Sequence, residues 1–474
     1  MKHIYFLLLL FVMTKPTFAQ LDRTIQPSPA TLPSLSLPHI QRAELSNGLK
    51  IMVVEHHKLP IVNLELVFNS GADADPLGKA GVANLTSNMI DEGTPAKSSL
   101  QIADAFDFLG TQFSASANYD GSYLTLLSLK EHLDESVQIF SEVLLTPTFP
   151  DSEFQRIKDE LLTSLSQQKD RASSVAANVF SKILYGEKNP YGFQVAGVET
   201  TVKAIALDDV KNYYEKIYAP NNATLIVVGD VTKKEVVLFA EKYFGKWKKK
   251  NIPTVKINSA ENISETAIYL VDKPNAPQSE IRLGQIGATR TTNDYFTLML
   301  FQHILGSSSG RLFLNLREEK GYTYGAYANF AYRKNAGPFI ASAAVKSEVT
   351  DSSLIEFLFE INRMREETVA DSEFQMYKTA VIQRLPRSFE TVSQITDNLA
   401  TLALFNFPDT YFNTYVERLK TVSQNDILEA GKKYLLPTQL VIVVVGDKAT
   451  IQEPLAKLNI GKVILCDTNG NILK

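Results

Sequence analysis

Two side chains in the second half of the chain, Arg317 and Tyr324, stand seven residues apart and could act on the same negative charge. A guanidinium and a phenol hydroxyl are both hydrogen-bond donors, and such donors stabilise an oxyanion that develops during acyl transfer. A structural interpretation stays open on spacing alone. In it, Arg317 favours the negative C-terminal end of its helix and Tyr324 packs at the start of a strand.

Histidine and cysteine are too few, and wrongly spaced, for the common metal sites. The chain of 474 residues has one Cys, which excludes a disulfide framework and Cys-based zinc or iron–sulfur sites. Its six His include no pair at spacing i,i+4. The adjacent His56 and His57 follow a strand pattern, and we interpret them as loop or surface residues. We therefore expect no metal ion and no other cofactor in this chain.

The elements that must position these side chains read as layers of strands and helices. Alternating apolar residues over 62–68 predict a half-buried strand, and 119–129 and 225–228 predict two more. Apolar residues at a spacing of three to four over 154–165 predict a helix. Asn47-Gly48 predicts a two-residue hairpin turn with positive φ at both positions. These patterns predict an α+β fold, with a mainly antiparallel sheet covered by helices.

The chain also repeats itself. Asp151-Ser-Glu-Phe-Gln155 recurs as Asp371-Ser-Glu-Phe-Gln375, a separation of 220 residues. A Pro followed ten residues later by the Asp that closes Val-Gly-Asp, Pro220 to Asp230, recurs 217 residues on as Pro437 to Asp447. Two features in the same order at nearly the same separation indicate two homologous domains. We predict the following division: signal peptide 1–19, extended leader 20–38, N-terminal domain 39–246, linker 247–264, C-terminal domain 265–462 and tail 463–474.

Charge and the N-terminus indicate where the protein works. The formal net charge of −4 gives no electrostatic footprint for nucleic acid. Lys2 precedes a short apolar run, and Thr17 and Ala19 stand at positions −3 and −1 of a cleavage site, so 1–19 reads as a secretory signal. No later segment is long and apolar enough to span a membrane. We expect a periplasmic or secreted protein.

The first half carries a layout that identifies a family by resemblance. A loop beginning at Gly71, the run Gly81-Val-Ala and a helical stretch closing on Gly93-Thr94 resemble the insulinase/pitrilysin family of metallopeptidases. In that family the helix carries His-x-x-Glu-His, which binds zinc and activates water. The matching positions here are Asn84, Ser87 and Asn88. An amide oxygen suits Zn²⁺ poorly, and an unassisted Ser is no general base at neutral pH.

The same resemblance implies that the family's third zinc ligand is also absent from this sequence. It is a Glu about 75 residues later, and the matching position is Leu162, or Thr163 with a shift of one residue. Glu160 lies two positions away, which turns it about 200° around a helix. The resemblance therefore implies a degenerate zinc site at Asn84, Ser87, Asn88 and Leu162.

The second half resembles the C-terminal signature of the same family over Leu305 to Tyr324, a glycine- and serine-rich loop followed by Leu-Arg-Glu, Gly and Tyr. The resemblance implies that Arg317 and Tyr324 bind the substrate carbonyl and the oxyanion beside the zinc of a facing half. The loop lacks the Gly-Lys-Ser/Thr of a phosphate loop. We predict instead that three of its residues bind substrate: Gly306, Ser309 and Gly310.

The resemblance implies a half-clamshell, metallohydrolase-like chain and three hypotheses about its role. The leading one is the zinc-free subunit of a heterodimeric metallopeptidase, as in bacterial two-chain members and in mitochondrial processing peptidase. It is inactive alone, its homologous partner bears the zinc, and the substrate is an unstructured peptide. The alternative is a non-catalytic peptide-binding protein that keeps only the enclosing shell. A self-sufficient peptidase with a relocated metal is the third, and the His inventory disfavours it.

Overall fold

The computed structural model describes residues 39–473, which form two six-stranded sheets with helices packed on them. The predicted signal peptide and the whole of the predicted leader lie outside the described residues. Below, the first half means the residues up to 246, and the second half means those from 265 onwards. Within the described range, no helix combines the length and the apolar character that a membrane crossing requires.

The secondary structure follows a similar order in both halves, apart from the extra strand that begins the first half and ends the second. The strands are β1 Gln41–Glu44, β2 Lys50–Glu55, β3 Ile61–Phe68, β4 Gln112–Ala117, β5 Ser122–Leu129, β6 Ala223–Gly229, β7 Ala267–Asp272, β8 Gln278–Ile286, β9 Thr323–Phe330, β10 Pro338–Lys346, β11 Val441–Gly446 and β12 Lys462–Cys466. The helices of the first half are α1 Val82–Met89, α2 Ser99–Phe108, α3 Leu133–Leu145, α4 Asp151–Gln168, α5 Ala172–Tyr185, α6 Glu199–Lys203, α7 Leu207–Ile217 and α8 Lys233–Phe244. Those of the second half are α9 Tyr295–Gly306, α10 Arg311–Phe313, α11 Thr350–Glu366, α12 Asp371–Arg384, α13 Val392–Phe405, α14 Tyr415–Thr421, α15 Gln424–Tyr434 and α16 Lys448–Lys457.

The two sheets share one topology. The strand order is β1-β2-β6-β3-β5-β4 in the first sheet and β12-β7-β11-β8-β10-β9 in the second. Most neighbours are antiparallel, whereas β2–β6, β7–β11 and β7–β12 are parallel. The predicted α+β fold with two duplicated, mainly antiparallel sheets is confirmed. The outermost strands next to β2 and β7 differ, because β1 comes from the N-terminal side and β12 from the C-terminal side of the chain.

The repeated pentapeptide has the same structural role in both copies. It begins α4 in the first half and α12 in the second. The lysine that follows it also repeats its contacts. Lys158 Nζ donates to the backbone oxygens of Lys203 and Ile205 at 3.0 and 2.6 Å, and Lys378 Nζ donates to those of Lys420 and Val422 at 2.6 and 2.8 Å. A half-buried ammonium that donates to two carbonyls fixes the next chain segment against the helix, which explains why a lysine serves in both copies.

Each half also supplies one helix to the sheet of the other half. Helix α5 of the first half packs on β8 and β11, and α13 of the second half packs on β3 and β6. Val175, Val179 and Phe180 of α5 are buried among Tyr269, Val443 and other residues of the second sheet. The reciprocal exchange joins the halves through apolar contact rather than through a short linker alone.

The patterns over 62–68, 225–228 and 154–165 correspond to β3, β6 and α4, and those predictions are confirmed. The hairpin after Glu44 is also present, but its turn was predicted wrongly. Glu44 pairs with Lys50, so five residues lie between the paired positions. Gly48 has φ +82°, whereas Asn47 is not among the residues with positive φ. The Asn47 side chain instead donates to the backbone oxygens of Phe244 and Trp247 at 2.8 and 3.0 Å.

The predicted strand over 119–129 starts later than expected, at Ser122, because Asn118 closes a turn by accepting from the backbone nitrogens of Asp120 and Gly121. The stretch predicted as a linker contains no helix or strand between Phe244 and Ala267. Strand β12 begins at Lys462 and runs into the segment predicted as a tail, where it pairs with β7.

Candidate functional site

Arg317 and Tyr324 lie on consecutive elements at one edge of the second sheet. Arg317 belongs to a π-helical turn over Leu314–Glu319 that directly continues α10. Tyr324 is the second residue of β9, the edge strand of that sheet. A π-helical turn inserts an extra residue into the helical path and often occurs at functional sites. The chain therefore presents both side chains at the same edge.

The two side chains are close together and accessible. The guanidinium carbon of Arg317 lies 5.1 Å from the ring centroid of Tyr324 and 4.7 Å from that of Phe313. Tyr324 is 87% exposed, and the Arg317 side chain is 38% exposed. The nearest carboxylate is Glu318, at 3.6 Å from Nη1. Within residues 39–473, the Tyr324 hydroxyl has no hydrogen-bond partner. The donors of this Arg/Tyr pair are thus available to an external acceptor.

The loop before this turn has packing requirements of its own. A Cβ on Gly306 would lie 2.1 Å from the backbone nitrogen of Ala328, so only glycine lets α9 approach β9 this closely. A Cβ on Gly310 would lie 2.8 Å from the backbone nitrogen of Ser307. Ser309 is exposed, and its backbone oxygen accepts from the Tyr377 hydroxyl. Packing accounts for both glycines, and the substrate-binding role of Gly306, Ser309 and Gly310 stays a prediction.

The three motif positions of the first half lie on α1, at different depths. Ser87 is buried, and its Oγ lies 3.4 Å from the Tyr218 hydroxyl. Asn84 is half-buried and Asn88 is exposed. The helix begins after Gly81, whose φ is +110°, and the Asp75 carboxylate accepts from the backbone nitrogens of Gly81 and Ala83 at 2.7 and 2.8 Å. The Asp75 carboxyl therefore fixes the N-terminus of α1 through two backbone hydrogen bonds, while burial raises its pKa to about 7.

Helix α4 packs against α1, as a two-helix metal site would require. Leu162, the matching third position, is half-buried against the core of the first half. Glu160 is held elsewhere, because its carboxylate accepts from Arg156 at 3.1 Å. Arg156 also donates to Glu92 and Glu153 at 2.8 and 2.7 Å, which makes an exposed ionic network.

These side chains do not fit a zinc ion. The four positions offer two amides, one hydroxyl that faces a phenol and one aliphatic side chain, whereas zinc sites use imidazole, thiolate and carboxylate. Across residues 39–473, no cluster of three or more His, Cys, Asp or Glu is arranged to hold a metal ion. These side chains therefore give no basis for a metal-dependent reaction at this site.

The structure does not bring the two regions into contact. Among the described residues, no hydrogen bond or ion pair joins Arg317 or Tyr324 to Asn84, Ser87 or Asn88.

A polar junction between the two halves was not predicted from the sequence. The Arg333 guanidinium carbon lies 3.5 Å from the ring centroid of Tyr119 and 4.4 Å from that of Tyr191. Tyr191 donates to Asp120 at 2.7 Å, and the Lys334 backbone nitrogen donates to the same carboxylate at 2.9 Å. These residues lie up to 215 positions apart, and no short motif joins them. A buried Arg between tyrosines is visible only after folding.

Comparison with known protein families matches the same two regions of the chain. Residues 50–192, which contain the degenerate motif, match the family described as Insulinase (Peptidase family M16). Residues 204–381, which contain the Arg/Tyr pair, match the family described as Peptidase M16 inactive domain. The chain belongs to the insulinase family, peptidase family M16. It is a homologue that lacks the family's zinc motif in its own sequence.

Similar proteins cover nearly the whole chain. A solved structure from Pseudomonas fluorescens, described as a peptidase M16 inactive domain, has a TM-score of 0.80 at 27% identity and covers 86% of this chain and 98% of its own. The mitochondrial-processing peptidase subunit beta of Saccharomyces cerevisiae is 21% identical over 437 residues, 88% of this chain and 93% of its own. A Helicobacter pylori protein named non-peptidase homolog YmxG is 20% identical over 411 residues, 85% of this chain and 93% of its own.

Proposed function

We propose that this chain is the zinc-free subunit of an exported heterodimeric metallopeptidase. Arg317 and Tyr324 bind the scissile carbonyl of an unstructured peptide and stabilise the oxyanion that forms on it. The zinc ion and the general base belong to a homologous partner that carries His-x-x-Glu-His. This chain holds no zinc and does not cleave peptides alone.

The exposed Arg/Tyr pair carries the proposal. Its guanidinium and phenol lie side by side on a rigid sheet edge, and no carboxylate closer than Glu318 neutralises the cation. Two adjacent donors of this kind stabilise negative charge that forms between them. Since residues 39–473 contain no cluster of His, Cys, Asp or Glu that could hold a metal ion, the proposal assigns the reacting centre to a partner.

Two further observations support the division of labour and the location. The S. cerevisiae relative is by name one subunit of a peptidase, and the H. pylori relative is by name a non-peptidase homologue. The predicted secretory signal over 1–19 supports a periplasmic or secreted location. A stable pairing between folded subunits should bury about 1,600 Å² in total.

Reconstitution tests the proposal. The chain and a zinc-bearing homologue from the same genome are purified separately and mixed, and cleavage of an unfolded peptide is followed together with the zinc content of each chain. We expect cleavage by the mixture only, with zinc in the partner only. Zinc-dependent cleavage by this chain alone would falsify the assignment.

A second candidate function is a peptide-binding protein without chemistry. The name of the H. pylori relative favours this candidate. The packing role of Gly306 and Gly310 also favours it, because packing alone explains both glycines without a catalytic role for the loop. It predicts that the chain binds unfolded peptide and that Arg317→Ala leaves this binding unchanged. A complex with a zinc-bearing partner whose cleavage rate depends on Arg317 rules it out.

A further inference from the structure

A cavity of about 500 Å³ lies where the first sheet meets the second half of the chain, apart from the Arg/Tyr pair and the motif helix. Glu65 of β3 and Tyr123 of β5 border it from the first sheet, and Asp397 borders it from α13. Arg290, which follows β8, and Arg333, in the β9–β10 turn, border it from the second half. The cavity therefore depends on both halves.

Buried polar atoms without partners concentrate around this cavity. Twelve buried side-chain nitrogen or oxygen atoms within residues 39–473 have no hydrogen-bond partner, and four of them belong to residues that border it. These four are Glu65 Oε2, Arg290 Nη1, Tyr332 Oη and Arg333 Nη1. Glu65 is only 6% exposed, and both arginines are 8% exposed. Buried polar groups in native proteins nearly always have partners, so four unpartnered groups around one cavity mark it as a candidate binding site.

The acidic side of the cavity has no cation of its own. Glu65 accepts only a long hydrogen bond from Thr125, at 3.4 Å. Burial, with the neighbouring Asp397 carboxyl, raises the pKa of Glu65 to about 7, and no guanidinium offsets this rise. Asp397 is exposed at the rim, where a ligand could enter. A ligand cation placed between the two carboxyls removes this cost.

The basic side is rigid and also incomplete. The backbone nitrogen of Arg290 donates to the backbone oxygen of Arg333 at 2.8 Å, which places the two residues side by side. The guanidinium carbon of Arg290 lies 3.7 Å from the ring centroid of Tyr295, and that of Arg333 lies 3.5 Å from that of Tyr119. Stacking holds both guanidinium planes, and each guanidinium keeps one buried Nη1 that has no hydrogen-bond partner within residues 39–473.

The charges of the cavity define the ligand. Asp120 also borders it but already accepts from Tyr191 and Lys334, so two carboxyls and two guanidiniums remain. We propose that this cavity binds a small zwitterion, a free α-amino acid or a dipeptide. Its ammonium lies at Glu65 and Asp397, and its carboxylate lies at Arg290 and Arg333. Leu404 and Phe405 form an apolar wall for a ligand side chain. The volume falls in the usual range for small-molecule sites.

Four small probes test the charge pattern by calorimetric titration of the full chain: leucine, leucyl-leucine, N-acetyl-leucine and leucine amide. We expect leucine or leucyl-leucine to bind. We expect N-acetyl-leucine, which lacks the ammonium, and leucine amide, which lacks the carboxylate, each to bind at least about tenfold more weakly than leucine. No binding by either zwitterion at millimolar concentration, or equal binding of all four probes, overturns the proposal.

Variants locate the two ends of the ligand. In Glu65→Gln, which is nearly isosteric, acetylation of leucine should no longer weaken binding, whereas amidation should still weaken it. Asp397→Asn, at the exposed rim, gives the same change without altering the buried face. Glu131→Gln is the matched control, because its side chain is 75% exposed and far from the cavity lining. If both Glu65→Gln and Asp397→Asn keep the full acetylation effect, the ammonium site is wrong.

This inference does not rest on the peptidase proposal. The titration uses the single chain, without a partner and without zinc. Its failure leaves the Arg/Tyr pair in place, and failure of the reconstitution leaves the cavity in place.

Discussion

The first and second halves share a topology but place their polar side chains differently. In the first half, the helix α1 holds Ser87 buried against Tyr218 and carries amides at the other two motif positions. In the second half, the π-helical turn and the edge strand β9 expose Arg317 and Tyr324. The comparison shows that a duplicated fold can keep its packing in both copies while only one copy offers donors to an external group.

The halves are not independent units despite this duplication. Each sheet has one face covered by its own helices and part of the other face covered by a helix from the opposite half. Loss of either exchanged helix should therefore damage the sheet of the other half. Substitution in an exchanged helix therefore tests this exchange, and substitution of the polar side chains tests the difference in chemistry between the halves.

The largest expected effect comes from Phe180→Ala on the exchanged helix α5. Phe180 is 1% exposed in the core of the second sheet, and its removal should cost about 3–5 kcal/mol of unfolding free energy. Hydrogen exchange should then rise in β8 and β11. Phe140→Ala, equally buried but in the core of the first half, is the control and should loosen β3 and β5 instead. The reverse distribution would contradict the exchange.

Arg317→Ala should lower kcat of the reconstituted pair by about 10²–10³-fold, the usual effect of losing one oxyanion donor. KM should change less, because the donor acts mainly on the transition state. Steady-state kinetics on an unfolded peptide provide the measurement. Arg384→Ala, at the exposed end of α12, removes the same charge and should leave kcat unchanged. Equal rates for the two variants would remove the Arg/Tyr pair from the mechanism.

Glu65 should make stability depend on pH. Its pKa is raised from 4.5 to about 7 in the folded chain, so the folded state keeps a proton that the unfolded state releases. The stability contributed by Glu65 is complete below pH 4.5 and is lost as the pH rises through 7. Between pH 5 and pH 8, wild type should lose about 2–3 kcal/mol relative to Glu65→Gln. Urea unfolding of both proteins at the two pH values measures this difference. Parallel pH dependences of the two proteins would show that folding does not raise the pKa of Glu65.

The smallest effect is expected for Ser87→Ala. The Ser87 Oγ makes one long contact of 3.4 Å with Tyr218, so its removal should cost at most about 1 kcal/mol of unfolding free energy. The cleavage rate of the reconstituted pair should not change, because Ser87 has no part in the chemistry. Thr86→Val on the same helix is a control that removes an internal 2.8 Å bond to Val82 instead. A large loss of cleavage in Ser87→Ala, but not in Thr86→Val, would show that Ser87 takes part in catalysis.

The sequence predicted the repeated α+β fold because the two signals it rests on are local. Alternation over 62–68 gave β3, and the pentapeptide at Asp151 and Asp371 marked the start of the same helix twice. It predicted the Asn47-Gly48 turn wrongly, because the Asn47 side chain bonds to the end of α8, about 200 residues away. Long-range hydrogen bonds of this kind leave no local pattern.

The sequence by itself determined which residues are missing at the motif helix and which donors remain at Arg317 and Tyr324, since these are matters of residue type. The residue types of α5 also give this helix an apolar face, which includes Val175, Val179 and Phe180. Only the tertiary structure decided that this face covers the second sheet rather than the first, because apolar contact has no direction and either sheet could have satisfied it. The same exchange assembles the cavity around Glu65 and Arg333, since it requires residues from both halves to meet.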